Sequence, residues 1–179
     1  MFGLFAASNV RDNWSKLDSF SVQLGPDNYV LDLGRTYLVC EKKASKVLRI
    51  AQDFVLSGSD LLCISRTHPE LLSEGWGDRR CEYYWLSERT GPQNIAPDQL
   101  SRILQRISAF MIGKKNAVVL LEGIEYLCLF NDFTRVQMFV EQVNDLVMSS
   151  QAVLLLPIDP QSLDQRSMAR LRRYAEVVV

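Results

Sequence analysis

The chain has 179 residues, 47% of them hydrophobic, which suits one domain with an ordinary core and argues against disorder. Lys and Arg total 20 and Asp and Glu total 21, a formal net charge of −1, so no global field draws the chain to nucleic acid or to an anionic membrane. The four cysteines (Cys40, Cys63, Cys81, Cys128) form no C-x-x-C pair and His68 is the single histidine, which argues against a Cys/His zinc site and suits reduced thiols in the cytoplasm.

The opening MFGLFAASNV has no basic leader region and makes a poor signal peptide. No apolar stretch approaches the roughly 18 residues that span a bilayer. Phe2, Leu4 and Phe5 either dock on a surface or belong to a frayed terminus. Residues 1–28 are polar and mixed and end in the turn cluster Gly25-Pro26-Asp27-Asn28, so they read as an N-terminal extension to a single domain over 29–179.

The first core strand is predicted over Thr36–Cys40 and ends at Glu41-Lys42-Lys43. Val47, Ile50, Ala51, Phe54 and Val55 have helical spacing, and Gly58 stops that helix. Asp60–Ser65 reads as a buried strand leaving through Arg66-Thr67-His68-Pro69, and Cys81–Leu86 as a more mixed strand nearer an edge. Pro97 suits the first turn of a helix carrying Leu100, Ile103, Leu104 and Ile107 on one face. Ala117–Leu121 is an unbroken apolar strand ending at Glu122-Gly123, followed by a short helix from Ile124 and a longer one from about Asp132. Ala152–Leu156 reads as a strand closed by Pro157, Asp159-Pro160 as the opening of a last helix, and Val177–Val179 as an edge strand. Strand–helix alternation with unbroken apolar strands predicts a three-layer α/β domain, a mostly parallel sheet with helices on both faces.

A parallel sheet brings Glu41 with Lys42, Arg66, Glu122 and Asp159 to one edge, where ligands of open α/β sheets bind. Acids with Arg and Lys suit Mg²⁺ and phosphate, and equally suit a network of rim ion pairs. No catalytic residue, metal ligand or cofactor is assigned. Asn131 or Asp132 reads as the N-cap of the long helix, and Tyr126 as a half-buried aromatic. His68 has no partner nucleophile in the sequence, and Cys40 and Cys63 read as buried. Trp76 in Gly75-Trp76-Gly77 is either an exposed contact or a lid on the core. Arg166, Arg170 and Arg173 recur on one helix face with Arg172 beside them, either a solvated face or a surface that meets phosphates or an acidic partner.

The order of elements from Thr36 to Pro69 resembles the start of the RecA/KaiC-like ATPases, with Leu120-Leu121-Glu122 resembling their Walker B strand. Those enzymes carry a glycine-rich loop whose N–H groups cradle phosphates. Here the loop is Glu41-Lys42-Lys43-Ala44-Ser45, without glycine, so the resemblance implies a RecA-like fold without a phosphate loop. A more specific resemblance covers about 34–173. It runs through Gly34–Val39, Ile64-Ser65-Arg66 with Pro69, Trp85-Leu86, Ile95-Ala96-Pro97, Leu121–Leu127 with Asn131 and Phe133, and Leu156–Pro160. This pattern is similar to DUF835, a family of unknown function known mainly from archaea and some bacteria. The family usually has aspartate where this chain has Glu122. Its domains often stand beside sensor or receiver modules, which implies a regulatory or signalling role. No catalytic residue is carried over.

These readings converge on a cytoplasmic, non-catalytic regulatory or protein-interaction module with a protein partner or self-association and neither nucleic acid nor membrane. Its expected contacts are Trp76, Arg166, Arg170 and Arg173. The alternatives are a nucleotide-binding or hydrolysing enzyme using Glu122 and Asp159, and a small-molecule sensor.

Overall fold

Residues 35–40, 61–65, 118–121 and 153–158 carry apolar side chains on both sides of the strand, a pattern stable only in a sheet covered on both faces. A computed structural model describes residues 19–24, 27–74, 76 and 80–178 and shows that sheet. Its strands are β3 (Arg35–Cys40), β4 (Leu61–Ser65), β5 (Cys81–Leu86), β6 (Asn94–Ile95), β7 (Val118–Leu121), β8 (Val153–Ile158) and β9 (Glu176–Val177). They lie in the order β6-β5-β4-β7-β8-β3-β9, and every pairing is parallel. β6 and β9, two residues each, blunt the edges.

Helices α1 (Ser45–Leu56) and α2 (Pro69–Ser73) cover one face, where Val47, Ile50, Phe54 and Leu72 meet Tyr37, Cys63, Leu120 and Leu155. Helices α3 (Leu100–Met111), α4 (Ile124–Phe130), α5 (Phe133–Ser150) and α6 (Gln165–Leu171) cover the other, where Ile103, Leu127, Val140 and Leu171 meet Leu38, Leu62, Val119 and Leu154. Burying one such Leu, Ile or Val stabilises the fold by about 1.5–3 kcal/mol. The α/β, three-layer architecture read from the sequence is therefore the observed one.

Three boundaries differ from the sequence reading. First, β1 (Ser19–Leu24) and β2 (Asp27–Asp32) form an antiparallel hairpin in register Ser19↔Asp32 to Leu24↔Asp27. Phe20 stacks on Phe54 of α1 at 4.1 Å between ring centroids. Part of the segment read as an extension is thus a strand pair packed on the domain; Phe2, Leu4 and Phe5 lie outside the described residues.

Second, Pro157 does not close β8, which continues to Ile158. Val153 N–H bonds Ala117 on the β7 side, and Glu41 N–H bonds Ile158 C=O on the β3 side. By the two-residue period Pro157 faces β7, where pairing stops at Leu120↔Leu155 although β7 runs on to Leu121. The missing N–H ends the ladder on the β7 side only, while pairing with β3 continues to Cys40↔Ile158. Third, two helices begin later than their prolines suggest. Pro97 and Pro160 sit in turns, α3 begins at Leu100, and α6 begins at Gln165 behind its N-cap Asp164.

Candidate functional site

The loops leaving β3 and β4 lead to helices on one face, and those leaving β7 and β8 to helices on the other. In the sheet, β3 lies beside β8 and β4 beside β7. Each pair is a switch point, where diverging loops leave a crevice at the C-terminal strand ends. Glu41 and Asp159 stand at the first, Arg66 and Glu122 at the second.

At the first crevice α1 begins without help from its own N-cap, Ala44, which makes no side-chain cap bond, and its first turn holds no acid. Glu41 supplies both functions from outside the helix. Its Oε2 accepts the Lys46 N–H at 2.8 Å and its Oε1 accepts the Val47 N–H at 2.8 Å. Ser45 Oγ donates to the same carboxylate at 3.4 Å. These first-turn donors and the positive end of the helix are the elements that bind phosphate in nucleotide-binding loops. Here they hold the protein's own carboxylate. Lys42 is exposed beside them.

Asp159 is folded into its own turn, where its Oδ1 accepts the Gln161 N–H at 2.9 Å. Its backbone N–H donates to Glu125 Oε1 at 2.8 Å, and Ser162 Oγ donates to the same oxygen at 3.2 Å. Glu125 thus ties α4 to the end of β8.

At the second crevice Glu122 Oε2 accepts hydrogen bonds from Ser65 Oγ and from the Arg66 N–H, the latter at 2.7 Å. Ser65 Oγ in turn accepts the Thr67 N–H at 2.9 Å. The Arg66 guanidinium lies 3.7 Å above the centre of the Tyr126 ring, and its Nη1 donates to Leu86 C=O. Trp85 Nε1 donates to Arg66 C=O at 3.1 Å. Gly123 has φ +121°, and a Cβ there would lie 3.0 Å from Leu86 Cδ2 and 3.2 Å from Arg66 Cγ. Only glycine passes this turn without strain, which is why the Glu-Gly pair ends the strand.

The strand-end candidates therefore share one edge but not one pocket of free charge. Among the described residues, none of the ion pairs involves Glu41, Lys42, Arg66, Glu122 or Asp159. The rim is held by carboxylates accepting backbone N–H groups, not by ion pairs. Among the described residues no group of three His, Cys, Asp or Glu is placed to hold a metal ion.

The other candidates separate. Trp76 is half-buried, with its ring edge-on to Tyr83 at 6.4 Å, over the face that carries α1. Arg166 is exposed, Arg170 stands 6.0 Å from the Phe133 ring, and Arg173 lies in the turn beyond α6 rather than on it. Asp132 is the N-cap of α5, accepting the Arg135 N–H at 2.9 Å. Asn131 instead ends α4 and donates to Pro97 C=O at 2.9 Å and Leu127 C=O at 3.0 Å. His68 caps α2 and meets Trp85 edge-on at 4.9 Å. Burial pushes the Cys63 thiol far up, with the Glu122 charge adding to it, which suits an inert core thiol. Burial, then the Glu125 charge, lifts Cys128 to about 11. Cys40 is half-buried rather than buried.

Glu125, Ser65 and Trp85 complete the rim and were not singled out as site residues by the sequence. Glu125 follows Gly123-Ile124 in the segment that best matches the family pattern, and its position on the first turn of α4 was the available signal.

Comparison with known proteins agrees with this architecture. The model of a protein family of unknown function, DUF835, matches residues 40–174. No curated protein matches the chain. A solved structure from Pyrococcus horikoshii OT3, described as a structural study of Project ID PH0250, is similar over 82% of this chain and 82% of its own, with a TM-score of 0.55 and 14% identity. At that identity the likeness concerns the fold. With 141 solved chains matching, the fold is widely shared and implies no single activity.

Proposed function

This chain belongs to the DUF835 family of proteins of unknown function, and we propose that it is a non-catalytic regulatory or protein-interaction module of intracellular signalling. The observation that carries this reading is the Glu41 carboxylate on the first-turn N–H groups of α1. A carboxylate in that position repels an incoming phosphate and fills the donors it needs. Glu122, the acid of the Walker B-like strand, is engaged by Ser65 and by the Arg66 N–H. A nucleotide-hydrolase-like sheet in this condition presents surfaces rather than performing phosphoryl transfer. Its surfaces for a protein partner, or for a second copy, are the arginines at Arg166, Arg170 and Arg173 and the half-buried Trp76.

Two measurements test the reading. Phosphate release from Mg·ATP and Mg·GTP is expected at background; release that Glu122→Gln abolishes overturns the non-catalytic assignment. Capture of a defined partner from the native cell, reproduced by reciprocal tagging, is expected to weaken when Arg166, Arg170 and Arg173 become Glu. Undiminished capture removes those arginines from the interface.

A further inference from the structure

On the edge opposite the strand ends, a pocket of about 290 Å³ opens between the start of β3, the end of α5 and the turn after α6. Three arginines line it, Arg35, Arg172 and Arg173, against one acid, Glu176. Arg35 Nε stands 3.7 Å from Glu176 Oε1. Among the described residues neither Arg172 nor Arg173 has an ion-pair partner.

Two buried polar side chains, Thr36 (2% exposed) and Asn144 (9% exposed), also line the pocket. Thr36 Oγ1 donates to Asn144 Oδ1 at 2.9 Å, which fixes the amide so that its NH₂ faces away from Thr36. That NH₂ has two protons, and its one partner among the described residues is the thioether sulfur of Met148 at 3.4 Å, a weak acceptor. A buried amide with donor capacity left over is costly unless something accepts from it.

The side chains of the lining thus offer more donors than acceptors. The C-terminal ends of α5 and α6 bring at most about half a negative charge each, which reduces the positive field without cancelling it. A guanidinium fork matches the oxygens of a phosphate in pairs, and two arginines without an ion-pair partner share this lining with the Asn144 amide donor. We propose that this pocket binds a small molecule through its phosphate group. The proposal is independent of the reading of the strand ends, which lie at the other edge of the sheet.

The test is calorimetric titration of inorganic phosphate, glycerol 3-phosphate and succinate at constant ionic strength. Saturable binding of the ester is expected, with succinate weaker by roughly tenfold because it lacks the tetrahedral oxygens. If inorganic phosphate binds equally, the phosphate group alone suffices; if only the ester binds, the ligand is a phosphomonoester. The double variant R172Q/R173Q is expected to lose at least roughly tenfold in affinity. Arg49→Gln removes the same kind of charge from an exposed position on α1, outside the pocket, and is expected to leave affinity unchanged. Glu176→Gln removes the competing acceptor and is expected to tighten binding several-fold, a gain that damage to the fold does not produce. The proposal is overturned if no phosphate compound binds saturably, if succinate binds as tightly, if Arg49→Gln costs as much as the double variant, or if Glu176→Gln fails to tighten binding.

Discussion

Glu41→Ala removes the carboxylate that closes the N-terminus of α1. Two N–H donors at 2.8 Å lose their acceptor, and the helix end loses its facing negative charge. The site is partly exposed, so water replaces some of the loss, and each hydrogen bond counts about 0.5–1.5 kcal/mol net. The charge at the helix end adds about 0.3–1 kcal/mol. The sum is about 2 kcal/mol, which for a domain of this size lowers Tm by about 4–8 °C. Glu41→Gln keeps one neutral acceptor and is expected to lose about half of that. The assay is thermal unfolding in low salt, repeated with sulfate. Sulfate is expected to stabilise Glu41→Ala more than the wild type, because an anion can then occupy the vacated donors. A Tm within about 1 °C of wild type, or an equal sulfate response in both proteins, would refute the claim that Glu41 fills an anion position.

Three further outcomes follow from the geometry. Gly123→Ala forces a side chain onto φ +121° with a 3.0 Å approach to Leu86, and is expected to cost about 2–4 kcal/mol, read as a lower urea midpoint. Tyr37 is buried and its hydroxyl is pushed up to about 12, chiefly by burial, so the proton leaves the unfolded chain first. Its contribution is complete below its ordinary value of 10.0 and is lost as pH rises towards 12, so Tyr37→Phe is expected to flatten the stability profile in that window. Asp164 is held below the usual carboxylate range by the Ser167 hydroxyl and N–H. Its contribution is present above the unfolded value and lost as pH falls through the lowered one, so Asp164→Ala is expected to differ from wild type at neutral pH and to converge with it in acid, by thermal unfolding.

The sheet was legible because burial on both faces leaves a direct mark. Leu61–Ser65, Val118–Leu121 and Val153–Ile158 are buried at every position, and no amphipathic pattern competes with that reading. The end of α1 was equally plain. Gly58 at φ +95° lets Gly58 N–H reach Val55 C=O and Ser59 N–H reach Phe54 C=O, closing the helix. Hairpin β1–β2 was not legible because one side of β2 is exposed and the two strands include Ser, Gln, Asp and Asn, so composition masks the alternation. Pro157 misled because its effect depends on which neighbour its missing N–H faces, a property of the sheet order and not of β8.

The candidate site shows the same division. Topology placed Glu41, Arg66, Glu122 and Asp159 at one edge, as the strand ends predicted. What each carboxylate accepts depends on distances of about 3 Å that spacing does not encode. Glu41 capping a helix that starts four residues later, and Glu125 bonding Asp159 N–H 34 residues away, are both of this kind. The gap in glycine at residues 41–45 signalled a missing phosphate loop; the occupant of its position became visible only in three dimensions.

Calorimetric titration of Mg·ATP into the wild-type protein tests the central claim most directly. With Glu41 on the donors of α1, no saturable binding is expected at either switch point. Saturable binding of Mg·ATP that Glu122→Gln removes would contradict the account, because Glu122 would then be serving a nucleotide rather than the rim of the sheet.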